Sequence, residues 1–534
     1  MKERIYDAIR EALLRQGPEG QPRFAVERPR DMSHGDYSSN VALVNKLDPQ
    51  EFAAKLKVEG VEKIEVAGKF INFYLSREAL LPGEQVIAQP YAGKTVLVEY
   101  TSPNLFKPLH IGNLIGNILG ESIARLLQKT GADVKRVNYP SDIGLTVAKG
   151  VWGLTQTKGD PNDIKALGEA YKVGNAAYED GSGKEQIDAI NTALYEHSNA
   201  EWSDLREQGI ATSRRHLDEL CARLGTKFDT EFFESESGPL GTDIVRAHIG
   251  KVFEESEGAV VYKGAHTRVF LNSRGLPTYE AKEVGLFDLK SKAYPDFDVS
   301  LTVTGGEQKD FFGVVFDAIG KIFPDKVAGK TLRHVANGFL RLTTGKMSSR
   351  LGNVITGESL LEDLQKDAQE KMADRVLADK EKTAQEIAVG AIKYSVLKSG
   401  SGRDILFDPE QSLSLEGDSG PYVQYALVRA RSLLRAASDK GIAPSQSDAP
   451  EHASVLERVL VHYAETVEYA AVELEPHYLT TYLTELAAAF NSWYAQEKVL
   501  GGPHQHYGVF LAAAAERTLA EGLTLLGIPT PEEM

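Results

Sequence analysis

The chain has 534 residues, of which 42% are hydrophobic and 25% are charged, a balance typical of globular proteins rather than disordered ones. The formal net charge of −16 argues against a protein that coats nucleic acid non-specifically, although local basic patches can still bind a nucleic-acid substrate. The single cysteine, Cys221, excludes an internal disulfide and a cysteine-rich zinc site. The length favours three or four domains. Without a signal-like start or a long apolar run, we expect a cytoplasmic protein with no membrane partner.

Residues 1–90 predict a small α+β domain. The segment opens with apolar residues at helical spacing from Ile5 onward. It closes with a run rich in β-branched and aromatic residues at 64–75, which is typical of strands. Pro82, Gly83 and Pro90 then mark a boundary.

Residues 91–360 predict a Rossmann-like parallel sheet, because strand and helix patterns alternate. A helix is predicted at 111–129, and the predicted strands are at 96–100, 134–139, 299–304 and 334–339. A more polar stretch at about 150–235 separates the early strands from the late ones, and we interpret it as a mostly helical connective insertion. Residues 361–534 predict an all-α bundle, because apolar residues recur there at helical spacing.

The first segment that carries chemistry runs from Glu99 to Asn113 and contains Asn104, Lys107, His110 and Gly112. It lies between a predicted parallel strand and a helix N-terminus, where open α/β sheets bind ligands and where N–H groups favour phosphate. His110 can donate to a phosphate, and Gly112 lets an adenine lie close to the backbone. Taken alone, the His-x-Gly pattern is equally compatible with a structural helix cap.

The second segment runs from Gly345 to Asn353, and its flanking glycines suggest a loop that moves. Lys346 and Arg350 are spaced to neutralise charge on a leaving pyrophosphate, and Ser348 and Ser349 can add hydrogen-bond donors. By itself this loop is also compatible with a solvated turn.

Together the two segments, His-Ile-Gly early and Lys-Met-Ser-Ser late, resemble the paired signatures of class I aminoacyl-tRNA synthetases. Their surroundings resemble the arginyl-tRNA synthetase version of that class. The similar stretches are Ser102-Pro103-Asn104, Lys107-Pro108-Leu109-His110, Gly35-Asp36-Tyr37, Phe70-Ile71-Asn72-Phe73, residues 416–431, residues 487–494 and Leu526-Gly527-Ile528. The resemblance covers nearly the whole chain.

The resemblance implies a role for each site residue. A guanidinium is planar with five donors, so its site should present fixed carboxylate and amide oxygens. The implied arginine-binding residues are Glu99, Asn104, Tyr279, Glu283 and Gln308. The implied ATP-binding residues are Lys107, His110, Gly112, Asn113, Lys346 and Met347, and the catalytic ones are His110, Gly112, Asn113, Lys346, Ser348 and Ser349. Without the family, Glu99 or Glu283 would count as ordinary acids, with Glu283 paired to Lys282 or a neighbour.

For tRNA, the resemblance implies that residues 1–90 bind the elbow and residues 361–534 bind the anticodon stem-loop. The implied contacts are Phe70, Asn72, Tyr422, Tyr425 and Arg429. Aromatic residues at helical spacing are also commonly core residues, and this alternative stays open for both tyrosines. Four positions depart from the family pattern: Asn113 stands where histidine is usual, Ser349 where lysine is common, Leu351 where lysine often follows Arg350, and Glu283 where aspartate is typical.

The implied reaction is ATP-dependent ligation of L-arginine to tRNA(Arg) through an arginyl-adenylate, with release of AMP and pyrophosphate. Mg²⁺ on the ATP phosphates, a monomeric enzyme and a need for bound tRNA during activation also follow from the resemblance. Two alternatives stay open. One is a class I synthetase for another amino acid, and the other is a non-catalytic paralogue that only binds tRNA.

Overall fold

A computed structural model of the chain describes residues 1–15, 23–83, 85–343 and 356–534. These residues group into two compact units. The first unit contains residues 1–88, 426–467 and 482–521, and the second contains residues 89–425, 468–481 and 522–534. Within the described ranges, no helix is both long and apolar enough to cross a membrane.

The N-terminal segment of the first unit forms a four-stranded antiparallel sheet in the order β1-β2-β4-β3. Its strands are β1 (Val26–Glu27), β2 (Tyr37–Ser39), β3 (Val61–Ala67) and β4 (Phe70–Leu75). Its helices are α1 (Lys2–Leu14), α2 (Val41–Val44), α3 (Pro49–Ala53) and α4 (Arg77–Leu80). The apolar face of α1, including Ile5 and Ile9, joins one core cluster with Ile71 and Phe73 of β4, as the helical spacing predicts.

The second unit is built on a five-stranded parallel sheet in the order β12-β11-β5-β6-β7. Its strands are β5 (Thr95–Glu99), β6 (Asp133–Asn138), β7 (Thr230–Glu231), β11 (Val299–Gly305) and β12 (Thr331–Asn337). Both faces of β5 are buried, as the apolar run Val96-Leu97-Val98 requires. In chain order, β6 and β7 are added on one side of β5, whereas β11 and β12 are added later on its other side. The gap between β5 and β11 is therefore the topological switch point, where such sheets bind ligands.

Helices connect these strands. They are α5 (Ile111–Lys129), α6 (Leu145–Thr157), α7 (Ile164–Glu179), α8 (Lys184–Glu196), α9 (Ala200–Leu224), α10 (Glu234–Ala247), α11 (Tyr279–Ala293), α12 (Lys309–Ile322) and α13 (Pro324–Val327). The predicted helical insertion is confirmed, because α6 to α9 lie between β6 and β7 and share a core cluster around Val147, Val151, Leu167 and Leu194.

Two small sheets have no counterpart in the sequence-based prediction. Strands β8 (Glu254–Ser256), β9 (Ala259–Lys263) and β10 (Thr267–Leu271) form an antiparallel sheet, and β13 (Leu340–Leu342) pairs in parallel with β14 (Ile405–Phe407). The prediction that residues 361–534 are all-α was therefore wrong for β14 alone among the described residues of that segment. A three-residue strand is too short for its alternation to show in the sequence.

The C-terminal part is helical, as predicted. Its helices are α14 (Gly357–Lys371), α15 (Lys380–Leu397), α16 (Pro409–Ser412), α17 (Gly420–Asp439), α18 (Val455–Leu460), α19 (Tyr463–Glu473), α20 (His477–Gln496) and α21 (Gln505–Leu525). Within the first unit, Arg458 of α18 forms a 2.7 Å ion pair with Asp36, and Tyr37 donates to Glu465 at 3.1 Å. The Gly-Asp-Tyr stretch thus anchors β2 to the helical bundle.

Candidate active site

The loop that follows β5 crosses the carboxyl edge of the sheet and pairs with the segment after β6. The Leu105 N–H donates to the Ser141 carbonyl at 3.1 Å, and the Ser141 N–H donates to the Pro103 carbonyl at 2.9 Å. This backbone pairing brackets Asn104 and places it beside the segment that follows β6, at the carboxyl edge of the sheet.

The same loop stores backbone strain. Thr101, Ser102 and Phe106 have φ values of 73°, 38° and 67°, a region that non-glycine residues rarely occupy and that costs about 1–3 kcal/mol each. Two asparagines of α5 stabilise the first of these residues. Asn113 donates to the Thr101 carbonyl at 2.8 Å, and Asn117 donates to the Thr101 hydroxyl at 2.9 Å. Asn113 and Asn117 therefore help to hold the strained loop against α5, and the ATP-binding role of Asn113 stays a prediction.

His110 is the N-cap of α5, and its Nδ1 accepts a 3.1 Å hydrogen bond from the Gly112 N–H. Partial desolvation and the neighbouring Lys107 cation lower the pKa of His110, which favours the neutral ring. In a neutral ring with Nδ1 accepting, Nε2 carries the proton and can donate to a ligand. The sequence suggested free N–H groups at this helix start, but the Gly112 N–H is occupied by the His110 ring.

Lys107 adds positive charge to the same region. Its ammonium lies 5.3 Å from the centre of the Tyr171 ring, and burial together with the nearby Lys149 lowers its pKa. Lys149 is itself largely buried and donates to Asn175 at 2.9 Å. The N-terminal end of α5 therefore combines helix dipole and lysine charge, which suits an anionic ligand.

The second signature lies outside the described residues, including Lys346, Met347, Ser348, Ser349 and Arg350. The described residues on either side of it are held by backbone hydrogen bonds. The Thr343 N–H donates to the Phe407 carbonyl at 3.0 Å, and Thr356 pairs with His110 as an isolated bridge. The Gly357 N–H donates to the Leu109 carbonyl at 3.1 Å. The chain thus leaves this segment beside the first signature.

Helix α11 supplies the acidic side of the site. Tyr279, Glu283 and Lys290 are spaced by four and seven residues, so they lie on one face of the helix. The Lys290 ammonium forms an ion pair with the carboxylate of Glu99 at the end of β5. Both side chains are buried, with exposed fractions of 6% and 2%. Glu99 is therefore not an ordinary surface acid.

Four glutamates share this region, and three of them have a cation partner. The pairs are Glu99 with Lys290, Glu234 with Lys282, and Glu280 with Arg268. The alternative in which Lys282 neutralises Glu283 was wrong. Among the described residues, none forms a hydrogen bond or ion pair with Glu283. Burial and the Glu99 carboxylate raise the pKa of Glu283 to about 8, although the Lys290 charge acts in the opposite direction.

The remaining arginine-site candidates lie around these acids. Tyr279 begins α11, is 60% exposed, and lines a cavity of about 260 Å³ with Tyr195 and Asn191. Gln308 follows β11 at the switch point. Within the part of the chain that the structure describes, the Asn104 and Gln308 side chains form no hydrogen bond of their own.

The predicted tRNA-contacting residues differ in accessibility. Phe70 is 45% exposed, whereas Asn72 is 3% exposed and accepts a 2.7 Å hydrogen bond from Ser38. Tyr422 and Tyr425 are half-buried. Arg429 is half-buried and donates to Asn491 at 2.7 Å. These tRNA contacts stay predictions.

Sequence reasoning missed three residues that organise the site: Lys290, Asn117 and Glu234. Helical spacing could have pointed to Lys290, because a residue seven positions after Glu283 lies on the same face of a helix. Asn117 likewise lies one helical turn after Asn113. Glu234 gave no local signal, because its partners Lys282 and Ser141 are distant in sequence.

Comparison with known families agrees with this geometry. The model for the catalytic domain of class I tRNA synthetases (R) matches residues 77–408. The arginyl tRNA synthetase N-terminal domain matches residues 1–75, and the DALR anticodon binding domain matches residues 423–534. The fold and its two flanking domains thus define a class I aminoacyl-tRNA synthetase.

Individual relatives indicate which family within the class I synthetases the chain belongs to. An arginine–tRNA ligase of Treponema denticola is 30% identical over 95% of this chain and 94% of its own length. One from Exiguobacterium sibiricum is 28% identical over 99% of this chain and 98% of its own length. The arginyl-tRNA synthetase of Thermus thermophilus superposes over 100% of both chains with a TM-score of 0.81 at 26% identity. The chain belongs to the arginyl-tRNA synthetase family.

Proposed function

We propose that this protein joins L-arginine to tRNA(Arg) at the expense of ATP, through an arginyl-adenylate and with release of AMP and pyrophosphate. One observation carries the proposal. Glu283 is a carboxylate with a raised pKa that forms no hydrogen bond or ion pair with the described residues, and it lies close enough to Glu99 for that carboxylate to raise its pKa. A cationic substrate side chain completes this arrangement, and an apolar or acidic one does not.

Arginine binding follows from the charges. A guanidinium beside Glu283 favours the ionised carboxylate, so binding at neutral pH displaces a proton from it. The planar guanidinium can bind a carboxylate through two parallel hydrogen bonds, and Asn104, Tyr279 and Gln308 offer further polar atoms. Uncharged analogues would leave these groups unpaired, so selectivity needs no separate editing site.

ATP binding would use the opposite side of the site. His110 Nε2 donates to a phosphate oxygen, Lys107 adds positive charge, and Gly112 keeps the ring of His110 in place. The arginine carboxylate attacks the α-phosphate, pyrophosphate leaves, and no protein nucleophile is required. Lys346, Ser348 and Ser349 stabilise the departing charge, with Met347 against the nucleotide. These roles of the second signature rest on its sequence and on its flank at Thr356.

Mg²⁺ belongs to the proposal only as a companion of the ATP phosphates. Across the residues that the structure describes, no group of three or more His, Cys, Asp or Glu side chains is arranged to hold a metal ion.

For tRNA, the proposal divides the chain at residues 1–90, 91–360 and 361–534. The first segment binds the elbow through Phe70 and Asn72. The third binds the anticodon stem-loop through Tyr422, Tyr425 and Arg429, where unstacked bases can rest on aromatic rings. A monomeric, cytoplasmic enzyme that activates arginine only with tRNA bound completes the proposal.

The test is charging of total tRNA with each of the twenty labelled amino acids, with and without ATP. The proposal expects ATP-dependent charging with arginine alone. Charging with another amino acid would show that arginine is not the substrate, while the assignment to the class I synthetases would stand. Binding of tRNA without any charging would favour a non-catalytic paralogue. Pyrophosphate exchange at full rate without tRNA would contradict only the requirement for bound tRNA.

A further inference from the structure

We propose that Lys290 is a positioning residue of the arginine pocket, which pairs with the buried Glu99 carboxylate and leaves Glu283, an acid without an ion-pair partner among the described residues, for the substrate to neutralise. The inference rests on the proposed function, because it assigns the pocket to a cationic substrate. It adds a residue that lies outside both signatures and contacts the substrate only through Glu99.

The placement of Lys290 supports this role. Its ammonium reaches from the last turn of α11 to the end of β5, and it pairs with a residue 191 positions away in sequence. A cation near a helix C-terminus is favoured by the helix dipole. The same helix face carries Tyr279 and Glu283, so one rigid element presents both the pocket acid and the counter-ion of Glu99.

A purely structural role explains the pair less well. Burying two charges carries a desolvation cost that their attraction often fails to recover, so a buried ion pair is weak support for stability. An apolar pair would fill the same space without that cost. The buried pair makes physical sense where a second acid, Glu283, lies close enough for both the Glu99 carboxylate and the Lys290 ammonium to affect its pKa.

The surrounding charges define what the loss of Lys290 would do. Glu99 projects from β5, Glu280 and Glu283 from α11, and Glu234 from α10, while Tyr139 after β6 faces the same acids. Lys282 and Arg268 are engaged by Glu234 and Glu280. Without Lys290, no described cation pairs with Glu99, and Glu283 loses a charge that favours its ionised form while it keeps the Glu99 carboxylate that disfavours it, so the pKa of Glu283 would rise.

The experiment measures arginine KM in the full-length enzyme with tRNA and ATP, from about pH 6 to about pH 9.5. In Lys290→Met we expect arginine KM at neutral pH to rise about tenfold and its pH midpoint to move up by about one unit. ATP KM should change less than about twofold, because the ATP groups lie at α5. Lys290→Arg should stay close to wild type.

The double variant Glu99→Gln/Lys290→Met tests charge balance. It removes one negative and one positive charge, so its pH midpoint should return to the wild-type value even if arginine KM stays high. The matched control is Lys326→Met, which removes a lysine that pairs with Asp288 of the same helix. This control should leave the pH profile of arginine KM unchanged.

Two results would overturn the inference. One is a folded Lys290→Met with the wild-type pH profile and arginine KM, whose only change is a lower melting temperature. The second result applies if that variant does not fold. It is a Glu99→Gln/Lys290→Met enzyme in which the pH midpoint of arginine KM stays above the wild-type value, as expected from the loss of the lysine charge alone. A wild-type enzyme that does not charge arginine would instead refute the proposed function.

Discussion

Asn113 donates a 2.8 Å hydrogen bond to the carbonyl of Thr101, a residue with φ of 73°. The bond joins the first turn of α5 to one of the three strained positions in the loop after β5. Histidine is usual at this position in the family. The role that the hydrogen bond gives Asn113 requires a side-chain donor but no contact with ATP.

Removing that donor should therefore relax the loop. In Asn113→Ala and Asn113→Asp we expect kcat/KM for ATP to fall about tenfold, with a stability loss of about 1 kcal/mol. The control is Asn45→Ala, since Asn45 also donates to a backbone carbonyl, that of Val41, at 2.9 Å but outside the site. Steady-state kinetics with varied ATP provide the check. Wild-type ATP kinetics in Asn113→Asp would show that the bond is dispensable.

Gly112 should matter through the ring of His110. A Cβ at position 112 would lie 3.3 Å from His110 Nδ1, so an alanine side chain would displace the imidazole that the Gly112 N–H holds. We expect Gly112→Ala to raise ATP KM by about tenfold while the melting temperature stays the same or rises. Gly313→Ala is the control, because an added Cβ there meets nothing within 4 Å. An unchanged ATP KM in Gly112→Ala would contradict the ring-holding role.

Arginine binding should depend on pH with a defined sign. The Glu283 pKa of about 8 means that the carboxyl is mostly protonated below that value in the substrate-free enzyme, and only the ionised form attracts a guanidinium. Arginine KM should therefore rise as the pH falls, by up to about tenfold per unit below pH 8, and level off above it. Initial rates of aminoacylation across this range test the expectation. An arginine KM that is flat between about pH 6.5 and about pH 8.5 would place the Glu283 pKa elsewhere.

Phe70 and Asn72, the two residues predicted to contact the tRNA elbow, should affect different properties when they are replaced. Phe70 is exposed, so Phe70→Ala should raise the KM for tRNA about fivefold without a change in melting temperature. Asn72 is buried and bonded to Ser38, so Asn72→Ala should lower stability by about 1–2 kcal/mol. Thermal unfolding and tRNA-dependent kinetics, measured on both variants, distinguish the two effects. A tRNA KM that stays at the wild-type value in Phe70→Ala would remove Phe70 from the tRNA contacts.

The sequence predicted the elements that depend on local pattern. Apolar spacing gave the helix Ile111–Lys129 with the bounds observed, and the run Val96-Leu97-Val98 gave the central strand. The helical insertion also followed from composition. Pattern cannot show which charges meet across the fold. Glu99 and Lys290 pair over 191 residues, and Lys282 pairs with Glu234 rather than with its neighbour Glu283.

The measurement that tests the central claim most directly compares arginine with citrulline, its uncharged near-isostere, in the wild type and in Glu283→Gln. With an ionisable Glu283 opposite the guanidinium, the wild type should favour arginine strongly. The variant should lose at least about a hundredfold of that preference through arginine KM, with ATP KM unchanged. A Glu283→Gln enzyme that keeps the wild-type preference for arginine over citrulline would contradict the assignment of this carboxylate to the guanidinium.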